Sequence, residues 1–325
     1  MTMLIQNSIL QDASQVFLDE IEALRQVQAR LDFQFEKAIA LLLNCRGRVI
    51  VSGMGKSGLI GRKIAATFSS TGTPAFFLHP GEGVHGDLGM MAPGDIVIAL
   101  SNSGETPELL QVLPVIRHLN LPLIGMTGNL KSSLAKRCDV VLDTSVSQEA
   151  CPLNLAPTSS TTTTLVMGDA LAVVLMSQKG FSETDFAIYH PAGSLGKRLL
   201  LTVEDVMHQG QDLPKVMLET SFKSALLEMT SKKLGMTLVV DNTGKTLGIV
   251  TDGDIRRVLT REQDIQHLKV QDIYTSNPKS ISKTALAAEA LALMEQHQIT
   301  VLPVNTTNGH SEGIVHLHDL LKTGI

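Results

Sequence analysis

The sequence has no tryptophan, and its aromatic residues come to only 3% of 325 positions. Its cores must therefore be aliphatic, and an apolar share of 43% is enough to fill them. Cysteine is scarce as well. Cys45, Cys138 and Cys151 are odd in number and form no close-spaced pattern, which excludes a disulfide framework. A basic excess is missing: 27 Lys and Arg stand against 32 Asp and Glu, a formal charge of −5 spread along the chain. That argues against a surface for nucleic acid or an anionic membrane. The start, MTMLIQNSILQD, has no basic region followed by a sustained apolar stretch, so no signal peptide is expected. The longest apolar-rich runs, such as LVMGDALAVVLM, carry charge and fall short of a membrane span. These absences predict a soluble, cytoplasmic chain with neither nucleic acid nor membrane as a partner.

What is present is a change of texture along the chain. Its length predicts two or three compact units. Residues 13–44 read as helix, with Val16, Phe17, Leu24, Val27 and Leu31 at roughly helical spacing. Short β-rich runs follow: RVIVS (48–52), AFFL (75–78), DIVIAL (95–100), PLIGMT (122–127) and DVVLD (139–143). Unbroken apolar runs of this kind suit a parallel sheet covered on both faces. Helical patterns at 58–71, 106–119 and 131–137 fill the gaps, and 160–178 returns to helix. Residues 1–200 thus read as a doubly wound α/β unit on a parallel five-stranded sheet, with ligands expected at the carboxyl ends of its strands.

Beyond residue 200 the chain repeats itself. VEDVM (203–207) returns as VQDIY (270–274), TLVVD (237–241) as TVLPV (300–304), and GIVTDGDI (248–255) as GIVHLHDL (313–320). Two copies, 203–260 and 268–325, predict a tandem α+β module whose copies bury a shared face.

The loop VSGMGKSGLIG (51–61) is suited to a phosphate. Gly53, Gly55 and Gly58 fit the dinucleotide fingerprint in outline, but that motif needs an acidic residue at the end of the next strand, where AFFLHP places His79. A Walker A loop fails, since position 50 is Ile rather than Gly. After the third strand comes SNSGET (101–106), where Ser101, Ser103 and Thr106 surround Gly104 at a helix start. First-turn amides lack partners and the helix dipole points positive there, so hydroxyls and amides together form an anion site. A single cap would explain Ser103 or Thr106, but not the set. PTSSTTTT (157–164) opens the next helix in the same style with Ser159, Ser160 and Thr161. The three starts, with Gly55 and Ser57 in the first, converge on one monophosphate-bearing ligand.

VSGMGKSG, SNSGETPE and PTSSTTTTLVMGDALA resemble a sugar isomerase (SIS) domain, and the repeated half resembles a pair of CBS domains. GEGVHGDLGM (81–90), EACPLNLAPTSST (149–161) and HPAGSLGKRL (190–199) narrow this: the chain is similar to the arabinose 5-phosphate isomerases over nearly its whole length. The resemblance implies interconversion of D-ribulose 5-phosphate and D-arabinose 5-phosphate at the start of Kdo synthesis. The alternatives are an isomerase of another sugar phosphate and a non-catalytic sugar-phosphate-sensing regulator. A transcription regulator of this type would carry a helix-turn-helix ahead of the sugar site, where this chain reads as one long helix.

Aldose–ketose isomerisation needs a base, an electrophile for the developing oxyanion, help with ring opening and a phosphate anchor. Glu108 lies about half a turn into the helix after SNSGET. By itself it would merely complement the dipole; the resemblance makes it the base, with Glu105 structural. His85, flanked by glycines, and His190, in YHPAGSLG, become the acid–base partner and the ring-opening group in an order left open, one of them reaching across a subunit boundary. Lys56 becomes the positive charge near phosphate or enediolate. No cofactor is implied and no metal is required, although His79, His85 and His190 together would make an inhibitory zinc site. The CBS pair implies a nucleotide ligand near Asp252 and Asp254, or a purely structural role, and the family implies a homotetramer.

Overall fold

The computed structural model describes residues 2–261, 264–306 and 308–325. It divides into two compact units, Met1–Phe186 and Ala187–Ile325.

The first unit opens with two helices where the periodicity predicted one over 13–44: α1 (Thr2–Ala29) and α2 (Phe33–Leu43). The break has a local cause. Asp32 turns extended and caps α2, its carboxylate accepting the Gln34 N–H at 2.9 Å. A βαβ series follows: β1 (Val49–Gly53), α3 (Gly55–Ser70), β2 (Ala75–Leu78), the short α4 (Pro80–Gly83), β3 (Ile96–Leu100), α5 (Pro107–His118), β4 (Leu123–Thr127) and β5 (Val140–Asp143). The strands form a parallel sheet in the order β2-β1-β3-β4-β5. All residues of β1, β3 and β4 are buried, as their unbroken apolar runs require. One face packs Val49, Val51 and Ile98 against α2, α3 and α6 (Ser159–Gln178); the other packs Ile50, Val97 and Ala99 against α5. The 131–137 pattern yields only a short 3₁₀ turn, Ala135–Arg137.

By length and composition α6 is the one helix among the described residues apolar enough to cross a membrane, since its hydroxyl-rich start extends the LVMGDALAVVLM run that alone fell short. It is a core helix. Thr163, Met167, Leu171, Ala172 and Leu175 are buried, and a Cβ at Gly168 would collide with Ile64 of α3.

α7 (Glu183–Tyr189) runs across the division between the units. In the second unit, α8 (Ser194–Leu200) packs against α11 (Ala287–His297), and the Leu201 carbonyl accepts the Ala287 N–H at 2.8 Å. These contacts put the compact division ahead of the 200/203 junction that the repeat suggested. The first copy contributes β6 (His208–Gln209), β7 (Lys215–Met217), α9 (Phe222–Lys232), β8 (Met236–Val240), β9 (Thr246–Thr251) and α10 (Asp252–Arg261). The second contributes β10 (Thr275–Ser276), α11, β11 (Val301–Asn305), β12 (Ser311–His316) and α12 (Leu317–Thr323). Each copy lends its opening segment to the other. β6 pairs with β12 and β10 with β9, while Val203 joins the core of Leu302 and Val315, and Val270 that of Val216 and Val250. Met236 and Leu238 meet Val301 and Ile314 in a shared apolar layer.

Candidate functional site

The strand order reverses direction between β1 and β3, so the loops leaving their carboxyl ends flank the crevice where doubly wound sheets bind ligands. The first of these loops is shaped by glycine. Gly55 has φ +56° with open space around a Cβ, so its backbone conformation is what calls for glycine. At Gly58 the requirement is contact: a Cβ would stand 2.6 Å from the Gly53 carbonyl oxygen, the close approach that seats α3 on β1. No side chain caps α3, whose first turn carries exposed Lys56 and half-buried Ser57. Among the described residues Lys56 has no ion-pair partner. Its charge is available to a ligand.

The second loop, 101–106, is denser in hydrogen bonds. Ser101 Oγ accepts the Gly104 N–H at 3.0 Å and lies 2.8 Å from Thr106 Oγ1; Ser103 Oγ accepts the Glu105 N–H at 3.2 Å. Gly104 is left-handed, φ +65°. Thr106 occupies the N-cap position of α5, yet its hydroxyl makes no capping bond. The first-turn amides of α5 therefore keep their capacity for an anion. Half-buried Glu108 stands in that first turn, at the amino end of the helix. Glu105 serves the fold, its carboxylate accepting the Ser133 N–H at 2.7 Å. His85 is exposed in the loop after α4, which packs on α5.

The start of α6 departs from the expectation. Its anion is internal: Glu149 accepts the Thr158 N–H at 2.7 Å, the Ser160 N–H at 3.1 Å, the Thr158 hydroxyl at 3.1 Å and the Ser160 hydroxyl. Burial pushes the Glu149 carboxyl up, but these bonds outweigh it and hold its pKa below the ordinary value. Thr161 turns its hydroxyl back to the Thr158 carbonyl at 2.8 Å. Ser160 and Thr161 are thus engaged within the protein, and of the three only Ser159 keeps an unpaired, fully buried Oγ. Ser52, at the end of β1, likewise has a buried Oγ without a partner. Such an atom costs about 1–3 kcal/mol until something polar meets it. Ser52 and Glu149 went unnoticed in the sequence, although the quoted motifs contain both.

His190, Asp252 and Asp254 belong to the second unit. His190 is half buried, and its carbonyl comes so close to α8 that a Cβ at Gly196 would collide with it. Asp254, 5% exposed, accepts the Thr251 N–H at 2.8 Å and the Thr251 and Thr275 hydroxyls at 2.7 and 3.2 Å, and pairs with Arg257. Its carboxylate thus has partners within the fold, whereas Asp252 stays exposed. Among the described residues no three His, Cys, Asp or Glu side chains are placed to hold a metal ion. A concavity of 960 Å³ opens by the amino ends of β4 and β5, beside Pro122, Leu123 and Asp139, and includes none of these candidates.

Residues 42–174 match the SIS domain, and 203–261 and 270–324 match the CBS domain. Over 306 residues the chain is 54% identical to the arabinose 5-phosphate isomerase KdsD of Pseudomonas aeruginosa, covering 94% of both chains. It is 49% identical over 315 residues to the enzyme of the same name from Escherichia coli K12, covering 97% of this chain and 96% of that one. Among solved structures, the c3406 protein of E. coli CFT073 in complex with arabinose 5-phosphate is 45% identical, with a TM-score of 0.56, and covers 57% of this chain and 98% of its own. A carboxylate beside an uncapped, hydroxyl-lined helix start thus occurs in a chain that aligns almost end to end with such enzymes, and the chain belongs to the arabinose 5-phosphate isomerase family.

Proposed function

We propose that the chain interconverts D-ribulose 5-phosphate and D-arabinose 5-phosphate through an enediolate, supplying the aldose for Kdo synthesis. The observation that carries this is 54% identity to such an isomerase along 94% of both chains. The local geometry gives it a mechanism. Phosphate docks on the 101–106 loop, with Ser101, Ser103 and Thr106 hydroxyls and the first amides of α5 as donors, and Gly55 and Ser57 close by. Anchoring the unreactive end fixes the sugar chain along the crevice, a share of the roughly 7–11 kcal/mol that positioning can supply. Glu108 then moves the proton between C1 and C2, and Lys56 neutralises the charge growing on oxygen. His85 and His190 divide sugar-oxygen protonation and ring opening between them. The proton begins and ends on the substrate, so the chemistry needs no redox cofactor.

The same reading makes the enzyme a cytoplasmic homotetramer. Phe17, Ile21 and Leu31 of the N-terminal region and Val166 and Val173 of α6 are exposed, an apolar surface suited to a second copy. The CBS pair takes a regulatory nucleotide, with Asp252 the acidic candidate left open to it. The test is a coupled assay with ribulose 5-phosphate run against a panel of other sugar phosphates. Turnover should be confined to the ribulose–arabinose pair, and equal turnover of another sugar phosphate would move the assignment to that substrate.

A further inference from the structure

The 101–106 loop is held in shape by a second segment that contributes no candidate catalytic residue. Asn102 O accepts the Gly128 N–H at 3.0 Å and the Thr127 hydroxyl at 3.3 Å. Gly104 O accepts the Leu134 N–H at 3.1 Å, and Ser132 fills the space where a Gly104 side chain would be. Among the described residues, Glu105 is the loop residue whose side chain hydrogen-bonds back to this segment, its Oε1 taking the Ser133 N–H at 2.7 Å.

That carboxylate is out of place on electrostatic grounds. It sits one residue from Thr106, beside a site read as binding a phosphate dianion, and like charges so close weaken binding. A neutral residue would suit the anion better unless the carboxylate does something else. What it does is visible: the Ser133 amide, followed by the Ser133 hydroxyl, holds its pKa below the ordinary value, so the bond to Ser133 is made to the ionised form. Ser103 Oγ in turn accepts the Glu105 N–H at 3.2 Å. Fixing Glu105 therefore fixes the hydroxyl of Ser103.

We infer that Glu105 is a positioning residue for phosphate recognition, bracing the 101–106 loop against residues 127–134 through the Ser133 amide so that the Ser103 and Thr106 hydroxyls converge on one anion. This rests on the phosphate-anchor reading of the loop. What matters on this account is an acceptor oxygen at that reach, and the negative charge is incidental.

The experiment compares Glu105→Ala, Glu105→Gln and Glu105→Asp in the full chain. It measures KM and kcat for ribulose 5-phosphate and the inhibition constant of inorganic phosphate. Glu105→Ala should raise KM and the phosphate inhibition constant together by roughly tenfold, on the scale of one hydrogen bond's contribution to loop order. kcat should stay within about twofold, since the phosphate end binds substrate and transition state alike. Glu105→Gln keeps the acceptor oxygen and should restore both constants to the unsubstituted level or below it. Glu105→Asp keeps the charge but falls a methylene short, so it should behave like the alanine variant. It carries the same test should Glu105→Ala fail to fold. If the unsubstituted enzyme is inhibited by phosphate while Glu105→Ala and Glu105→Asp leave both constants unchanged, the brace is refuted. If Glu105→Gln is as weak as Glu105→Ala, charge rather than the Ser133 bond matters and the inference falls. If phosphate fails to inhibit the unsubstituted enzyme, the anchor reading itself is what fails.

Discussion

Thr106→Val removes one hydroxyl and keeps the β-branched shape, so it asks a narrow question of the phosphate loop. In the folded protein, Ser101 Oγ accepts the Gly104 N–H at 3.0 Å and lies 2.8 Å from Thr106 Oγ1. Ser101 donating its proton to Thr106 is compatible with both contacts and leaves the Thr106 proton for a ligand. Valine therefore subtracts two things. The fold loses a neutral hydrogen bond, about 0.5–1.5 kcal/mol. At about 2–4 °C per kcal/mol for a unit of this size, Tm should fall by roughly 1–6 °C. The bound phosphate loses a donor to a charged oxygen, about 1.5–3 kcal/mol, which corresponds to a rise of about 10- to 150-fold in KM and in the phosphate inhibition constant. Because the contact is remote from C1 and C2, kcat should change by less than about threefold. Steady-state kinetics with ribulose 5-phosphate, phosphate as competitor and a thermal melt read all three quantities. A variant that loses kcat while KM and phosphate inhibition stay put would show that Thr106 acts at the reacting carbons, and the anchor would have to be sought elsewhere.

Glu108→Gln should bind phosphate as before and lose about 10²–10⁴ in kcat, because an amide cannot take the C–H proton; near-normal kcat would hand the base role to His85 or His190. A chain ending at Leu201 should still isomerise ribulose 5-phosphate but melt earlier, since α8 and Leu201 lose their cover from α11; a folded product with no turnover would mean that the repeated half completes the active site. The second repeat should show a histidine-dependent acid sensitivity. Burial, then the neighbouring His318, lowers the His316 pKa beneath its ordinary 6.5, so the unfolded chain takes up that proton first. Its contribution to stability is therefore complete above about pH 6.5 and declines as pH falls through that value toward the lower folded pKa. His316→Asn, which can still accept the His318 N–H, should flatten the fall in Tm between pH 7.5 and 5.5; an unchanged slope would exclude His316 as its source.

The five strands were legible because each is an unbroken apolar run, and the three central ones, β1, β3 and β4, are buried throughout. Helix ends were less so. The break between α1 and α2 depends on Asp32 capping the Gln34 amide, and an Asp within a helical pattern looks like any exposed residue. The helix expected over 131–137 fails because Ser133 and Leu134 give their N–H groups to Glu105 and Gly104, some 30 residues away. The role of Asp254 was hidden in the same way. Within its own repeat it reads as an available acid, but Thr275, from the opening segment of the other copy, helps to engage it. The equivalent Asp319 is met by His208 at 2.8 Å, so the exchange works in both directions.

The two hydroxyl-rich helix starts mark the limit most clearly. SNSGET and PTSSTTTT carry the same residue types, and propensity and capping rules treat them alike. What separates them is whether the protein's own chain supplies the anion. At α6 it does: Glu149, reached through the 150–157 loop, takes two backbone N–H groups and two hydroxyls. At α5, among the described residues, it does not, since the nearby Glu105 carboxylate is drawn away to Ser133. A helix start fitted with hydroxyls, one available backbone turn and no internal carboxylate has its anion left to come from outside. That difference, rather than the count of serines and threonines, makes α5 the stronger place to look for substrate phosphate.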